Sequence, residues 1–164
     1  MAIDCEFVKS GDEELLARIS IVNDRGECLL DSYVKPEKQI TDYLTSITGI
    51  SYLHIKNAPK AAEVLEKAKK IMYNKILVGH TVWKDLEVCG LQKWKGWKTL
   101  VDISEFKEFK EKTGKLISLR NLSLKYLGRS IQEGRHSSVE DSLATIDLFK
   151  IRKMEMLKQC KVIL

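Results

Sequence analysis

The sequence lacks the features of a secreted, disulfide-linked or membrane-spanning protein. Its four cysteines lie at positions 5, 28, 89 and 160 without forming a Cys-x-x-Cys pair, and no signal-peptide pattern opens the chain. No apolar run reaches the roughly 18 residues that a membrane-spanning helix needs. Internal repeats and low-complexity segments are absent as well. We therefore expect an intracellular protein whose cysteines are reduced thiols and that has no membrane partner.

What the sequence does contain is enough apolar material for one core. The chain has 164 residues, of which 44% are hydrophobic, and this length favours a single domain that spans residues 1–164. Lysine and arginine number 28 against 23 acidic residues, which gives a net charge of +5. This excess of positive charge mildly favours a polyanionic partner.

The first predicted strand carries two carboxylates on one face. Residues 1–8 alternate, so Asp4 and Glu6 share one side of the strand, and apolar side chains occupy the other. Two adjacent carboxylates repel each other unless a cation lies between them, and Mg²⁺ is commonly bound by one or two protein carboxylates and by substrate phosphates. The alternative is an edge strand with a solvated acidic face. The apolar positions are Ile3, Cys5 and Phe7.

The rest of the pattern predicts an α/β protein. Alternating or wholly apolar runs predict further strands at 15–22, 28–34, 76–79 and 99–103, with a turn at 23–26. Helical spacing predicts helices at 41–47, at 58–73, around position 85, at 118–127, and from about 138 to beyond 156. An antiparallel meander followed by alternating helices and strands predicts a mixed five-stranded sheet flanked by helices.

Asp85 is a further candidate ligand. It follows the apolar strand predicted at 76–79, and ligands of open α/β sheets collect at such strand ends. The alternative is an acidic residue that only complements the N-terminus of its helix, which is a common arrangement.

Asp141 opens the last predicted helix, four positions after Ser137. It fits a capping box with Ser138, but Ser137 and Glu140 fit one equally well and would leave Asp141 free. A free Asp141 would share a helix face with small and apolar residues that allow close approach to the sheet. His136 lies in the loop before this helix, where a histidine is less often a core residue. The residues on that face are Ala144, Thr145 and Leu148.

These positions belong to longer segments that resemble a known enzyme family. The segments read Ala-Ile-Asp-Cys-Glu-Phe-Val, Leu-Ala-Arg-Ile-Ser-Ile-Val-Asn, Tyr-Val-Lys-Pro, Thr-Asp-Tyr, Ile-Leu-Val-Gly-His, Val-Asp-Ile-Ser and Ser-Ile-Gln-Glu-Gly-x-His-Ser-Ser-Val-Glu-Asp. They resemble the DEDDh family of 3′-to-5′ exonucleases, which has the ribonuclease H-like fold. Within that family they are most similar to the branch of RNA exonuclease 4 and the interferon-stimulated 20 kDa exonuclease.

The resemblance implies a metal-dependent hydrolase. It assigns Asp4, Glu6, Asp85 and Asp141 as ligands of two Mg²⁺ or Mn²⁺ ions, and His136 as the general base. The implied reaction releases nucleoside monophosphates from the 3′ end of single-stranded RNA, with single-stranded DNA left open as a substrate. It further implies a monomer that acts in RNA processing or turnover, such as rRNA processing, in the nucleus, nucleolus or cytoplasm.

The resemblance also suggests substrate contacts at Phe7, His80, Leu44 and Ser46. Relatives in this branch have arginines where this chain has Leu44 and Ser46, so phosphate or ribose contacts expected there are in question. Phe7 replaces the methionine of some relatives and still offers an apolar surface on which a terminal base can stack.

A basic and aromatic stretch at 91–98 is a separate candidate for nucleic-acid contact. Its lysines can attract phosphates and its tryptophans can stack on bases. Alternatively, the tryptophans only anchor the loop to the fold. For the whole chain, the alternatives to an exoribonuclease are a catalytically silent nucleic-acid-binding module with the same fold and a mainly DNA-directed exonuclease.

Overall fold

The computed structural model describes residues 1–159, which form a five-stranded sheet flanked by helices. The strand order is β3-β2-β1-β4-β5. The β1–β2 and β2–β3 pairs are antiparallel, whereas β1–β4 and β4–β5 are parallel, which confirms the predicted meander followed by parallel strands. The strands are β1 (Ala2–Ser10), β2 (Glu13–Val22), β3 (Cys28–Tyr33), β4 (Ile76–Gly79) and β5 (Thr99–Asp102).

The helices lie on both sides of this sheet. They are α1 (Thr45–Thr48), α2 (Tyr52–Ile55), α3 (Ala61–Met72), α4 (Val82–Val88), α5 (Leu119–Leu127), α6 (Ser138–Ile151) and α7 (Lys153–Gln159). Two short 3₁₀ turns follow β5, at Ile103–Glu105 and Lys107–Phe109. Within residues 1–159, every helix is too short or too polar to cross a bilayer.

Alternation along β1 divides the core between the two sides of the sheet. Ala2 packs in a cluster with residues of α5 and α6, such as Leu122 and Leu148. Ile3 and Cys5 face the other way and pack in a cluster with residues of α3 and α4. The even-numbered positions of β1, which include both carboxylates, therefore lie on the side of the sheet that α6 covers.

Two predicted helices have the expected place but the wrong length. The helix predicted at 41–47 is only α1, because Leu44 has a left-handed backbone (φ 49°) and its N–H donates to the Asp42 carboxylate. The helix predicted at 58–73 begins only at Ala61, because the Pro59 carbonyl accepts a hydrogen bond from the Lys35 N–H in an extended segment.

The single helix predicted from about 138 to beyond 156 is two helices. Arg152 leaves the helical conformation (φ −131°, ψ 23°), and its guanidinium donates to the Glu108 carboxylate. By contrast, α5 begins and ends as predicted. The Ser118 hydroxyl accepts from the Asn121 N–H, and Gly128 ends the helix with a left-handed backbone (φ 62°).

Candidate functional site

Three carboxylates meet where α6 crosses the central strand. Asp4 and Glu6 are two residues apart on β1, and Asp141 lies in the first turn of α6. One carboxylate oxygen from each of the three lies within 4.8 Å of the others. The start of α6 is held to the sheet by a 2.7 Å hydrogen bond between the hydroxyls of Ser20 and Ser138. The predicted pairing of the first-strand acids with Asp141 is therefore present.

Asp141 is not used to cap its helix. The N-cap residue is Ser137, but no side-chain capping bond forms, so both capping boxes considered from the sequence are wrong. Glu140 instead accepts a hydrogen bond from the backbone N–H of Gln132. The Gln132 side-chain amide donates to Oδ2 of Asp141 at 2.9 Å, which leaves the other oxygen, Oδ1, free for a ligand.

The carboxylates are held in an environment that penalises their charge. Burial raises the pKa of Asp4 well above its usual value, and the negative charges of Asp85, Asp141 and Glu6 raise it further. Burial, followed by the charge of Asp141, raises the pKa of Glu6 to about 7 against the opposing effect of Arg18. The pKa of Asp141 is raised by burial, although Gln132 and His136 oppose that rise.

Two carboxylate oxygens of this cluster have no hydrogen-bond donor among the described residues. Glu6 Oε1 and Asp141 Oδ1 are buried and accept no hydrogen bond from the described residues. A buried carboxylate oxygen without a donor costs free energy, and a divalent cation is the ligand that relieves it best, because hard cations prefer carboxylate oxygens. The donor set formed by Asp4, Glu6 and Asp141 therefore fits a Mg²⁺ or Mn²⁺ ion.

Asp85 lies beside this cluster but is not one of its three members. It projects from α4, and its Oδ1 accepts the backbone N–H of Cys5 at 3.1 Å. That N–H is not bonded within the sheet, because β1 pairs with β4 only at Ala2 and Val78 and then continues beyond this pair. Burial raises the pKa of Asp85 to about 7. The structure thus places Asp85 against β1, and its role as a metal ligand stays a prediction.

A cleft of about 260 Å³ opens onto the three carboxylates. His136 lines it, and the backbone N–H of His136 donates to the Ile47 carbonyl at 2.7 Å, which ties the loop before α6 to α1. His80 also lines the cleft; its Nε2 lies 3.0 Å from the Ile117 carbonyl, and burial lowers its pKa. The remaining lining residues are Asp4, Cys5, Glu6, Thr81, Ser118, Leu119, Gln132 and Asp141.

Of the four predicted substrate contacts, His80 alone lines this cleft. The Phe7 ring is partly buried and lies under the Lys84 ammonium at 5.7 Å, beyond a register shift in β1 that follows Glu6. Leu44 is half-buried and Ser46 is exposed on α1. Substrate contacts by these three residues stay predictions, and any such contact would lie outside the cleft itself.

Gln132 and Asp102 are site residues that the sequence did not reveal. Asp102 ends β5, and its Oδ1 accepts hydrogen bonds from the Thr81 N–H and from the N–H and hydroxyl of Ser104. Gln132 has a positive φ of 57° and lies in a loop with no helix or strand of its own. The only sequence feature that pointed to Gln132 was its position inside the Ser-Ile-Gln-Glu-Gly segment that the family resemblance covers.

The chain is similar in sequence to known exonucleases. The sequence model of the RNase_T exonuclease family matches residues 1–149. The chain is 43% identical to RNA exonuclease 4 of Saccharomyces cerevisiae and 42% identical to that of Candida albicans, covering 96% and 95% of this chain. It spans 56% and 55% of those two proteins, and 37% of human RNA exonuclease 4, to which it is 38% identical.

Solved structures with a similar fold include the Saccharomyces cerevisiae Pan2 pseudoubiquitin hydrolase–RNA exonuclease module in complex with A7 RNA. The TM-score is 0.78 at 28% sequence identity, and the match covers 96% of this chain and 28% of that one. The Neurospora crassa Pan2 catalytic unit gives a TM-score of 0.78 at 25% identity, covering 97% of this chain and 27% of that one. The mixed sheet and its helices thus match those of exonuclease domains.

Proposed function

The chain belongs to the RNase_T family of exonucleases, and from this membership we propose that it is a divalent-metal-dependent 3′-to-5′ exonuclease of single-stranded RNA. The observation that carries the proposal is the group formed by half-buried Asp4 with buried Glu6 and Asp141, whose oxygens converge within 4.8 Å and line a cleft. Such a group is costly to fold unless it binds cations.

The metal requirement follows from this donor set. Asp4, Glu6 and Asp141 would hold Mg²⁺ or Mn²⁺, and Asp85 would join them as the fourth acidic ligand. When bound, divalent ions lower the pKa of water and stabilise the charge that develops as a phosphodiester bond is hydrolysed. Hard oxygen donors suit both ions, and we propose Mg²⁺ as the resident one because it favours carboxylates together with substrate phosphates.

His136 is proposed as the general base. It lines the cleft that opens onto the three carboxylates and lies in the loop that leads into α6 and Asp141. An imidazole beside the acidic cluster can take the proton from the attacking water, which the carboxylates cannot do while they bind cations. Gln132 would keep Asp141 oriented by donating to its Oδ2.

RNA as the substrate rests on the named relatives. The curated relatives are RNA exonuclease 4 proteins, and a Pan2 module of similar fold was solved with RNA bound. The net charge of +5 favours a polyanion of either kind. We propose RNA as the main substrate and RNA processing or turnover as its setting.

The test is hydrolysis of 5′-labelled single-stranded RNA and DNA of the same sequence, resolved by length. With Mg²⁺ or Mn²⁺, we expect a ladder that shortens one nucleotide at a time from the 3′ end, and no reaction in EDTA. A matched strand with a blocked 3′ end should resist. Binding without shortening would instead indicate a silent nucleic-acid-binding module. Faster loss of DNA than of RNA would indicate a DNA-directed enzyme.

A further inference from the structure

A second surface, away from the acidic cleft, combines exposed aromatic and basic side chains. It is formed by residues 69–75, at the end of α3 and the turn after it, and by residues 93–98, in the loop before β5. The two segments are joined by backbone hydrogen bonds from Asn74 N–H to the Gly96 carbonyl at 2.7 Å and from Lys98 N–H to the Lys75 carbonyl at 2.8 Å. We call these two segments together the basic aromatic surface.

All charged side chains in the two segments of this surface are positive. Its 13 residues contain six lysines and no acidic residue, which is more positive charge than the +5 of the whole chain. The basic aromatic surface therefore accounts for all of the chain's excess of positive charge. Glu66, one turn earlier on α3, neutralises Lys69 through a 2.8 Å ion pair, and the other five lysines remain exposed. They are Lys70, Lys75, Lys93, Lys95 and Lys98.

The aromatic side chains of the surface have different roles. Trp94 and Trp97 pack edge to face at 5.1 Å, and both pack against the core cluster that contains Ile3 and Cys5. They therefore anchor the loop to the fold, which is one of the two interpretations of this stretch given by the sequence. Tyr73 is 67% exposed. Together with Trp94, Lys69, Lys70 and Glu66, it lines a shallow cleft of about 370 Å³. An aromatic ring this exposed, in a shallow cleft beside lysines, is suited to stack on a base.

The basic aromatic surface lies at the opposite end of β4 from the acidic cleft. Its two segments precede the first residues of β4 and β5, Ile76 and Thr99, which pair with each other at one end of the sheet. His80 and Thr81, which line the cleft, instead follow the last residue of β4. Four residues of strand are about 13 Å long, so the two sites are separate. A single strand with its 3′ end in the cleft can reach the surface only with nucleotides several positions upstream.

We propose that the basic aromatic surface binds single-stranded RNA, with Tyr73 stacking on a base and the lysines contacting phosphates, and so holds the upstream part of a substrate. The upstream role rests on the proposed exonuclease function, whereas binding itself does not. Single-stranded RNA is the occupant that fits best, because it exposes both phosphates and unpaired base faces. A protein or an anionic membrane would use the charge but would not require a stacking ring.

Binding is tested without hydrolysis, by fluorescence anisotropy in EDTA with a single-stranded RNA of about 15 nucleotides, a length within the usual range of single-strand sites. Tyr73→Ala should weaken binding about fivefold or more, and Tyr73→Phe, which keeps the ring, should bind like the wild type. Lys70→Glu with Lys98→Glu should weaken binding and lower the slope of log affinity against log salt by about 1.4.

The matched control is Lys107→Glu with Lys125→Glu, an equal change of charge at two exposed lysines that lie on the side of the sheet covered by α5. This pair should lose little affinity, and all variants should keep the wild-type melting temperature. Equal losses in both double variants, or full binding by Tyr73→Ala, would overturn the proposal. Capture by vesicles of anionic lipid, with no binding of RNA at this surface, would overturn it as well.

The upstream role is tested with two substrates in Mg²⁺. Tyr73→Ala should lower kcat/KM on the strand of about 15 nucleotides, to the same degree as it weakens binding, and leave a trinucleotide unaffected. An equal loss on both substrates would refute the upstream role. A wild-type protein that binds RNA through Tyr73 but hydrolyses neither substrate would refute the exonuclease function and leave the binding surface standing.

Discussion

Replacement of Glu6 by glutamine measures how much the acidic cluster destabilises the metal-free protein. Glu6 is 6% exposed, and its Oε1 has no hydrogen-bond partner within the described part of the chain. Burial and the nearby charge of Asp141 raise its pKa from 4.5 to about 7. Glutamine keeps the shape of the side chain but cannot ionise, so Glu6→Gln removes this charge with little change in packing.

The sign and size of the effect follow from the linkage between protonation and folding. Because the pKa of Glu6 is higher in the folded state, the folded protein holds a proton that the unfolded chain has released, and stability falls as pH rises from 4.5 to about 7. One pKa unit corresponds to about 1.36 kcal/mol, so the loss is on the order of 3 kcal/mol at pH 8. Below pH 4.5 the loss is absent.

The measurement is the free energy of unfolding in urea, in EDTA, at pH 5 and pH 8. We expect wild type to lose about 2.5 kcal/mol more than Glu6→Gln between these two pH values, because part of the full loss already occurs below pH 5. Glu37→Gln, at an exposed position, should follow the wild type. Saturating Mg²⁺ should restore the wild-type protein at pH 8 and stabilise Glu6→Gln less. Parallel pH dependence in wild type and Glu6→Gln would refute the reasoning.

Three further changes test the other parts of the site. Asp4→Asn should abolish metal-dependent hydrolysis without lowering the melting temperature of the metal-free protein, because it removes repulsion; a fall of several degrees would contradict this. His136→Ala should lower kcat by roughly 100-fold and leave metal affinity nearly unchanged, as measured by titration calorimetry. His80→Ala is its control, and an equally large loss in a folded His80→Ala protein would show that the general base is misassigned. Gln132→Leu should weaken metal binding about 10- to 100-fold, because Asp141 loses the amide that orients it; unchanged affinity would show that the amide has no such role.

The parts of the fold that the sequence predicted are those that depend on local periodicity. Two-residue alternation in β1 placed Asp4 and Glu6 on one side, and the wholly apolar run of β4 marked a strand beside the centre of the sheet. The spacing after Asp141 correctly predicted a buried face on α6. Each of these patterns reports which way a side chain points within its own element, and burial of a face requires little else.

The errors occur where a distant partner decides the local conformation. A helical pattern at 41–47 cannot show that the Asp42 carboxylate will accept the Leu44 N–H, or that the Asp42 backbone will form a β-bridge with Lys9 of β1. The break at Arg152 coincides with an exposed ion pair to Glu108, which is 44 residues earlier. Helix propensities differ by only a few tenths of a kcal/mol per residue, so a single hydrogen bond of about 1 kcal/mol is enough to shift a helix end.

Asp102 shows why the support of a site is harder to predict than its ligands. Thr81 has a left-handed backbone (φ 56°), which costs about 1–3 kcal/mol for a residue other than glycine and persists only where surrounding contacts enforce it. The hydrogen bond from the Thr81 N–H to Asp102 Oδ1, at 2.9 Å, is such a contact, and two further donors from Ser104 hold that oxygen in place. Thr81 lies between His80, in the wall of the cleft, and α4, which carries Asp85. The direction of both side chains therefore depends on a carboxylate that, in the sequence, lies in the Val-Asp-Ile-Ser segment of the family resemblance but is assigned no role there.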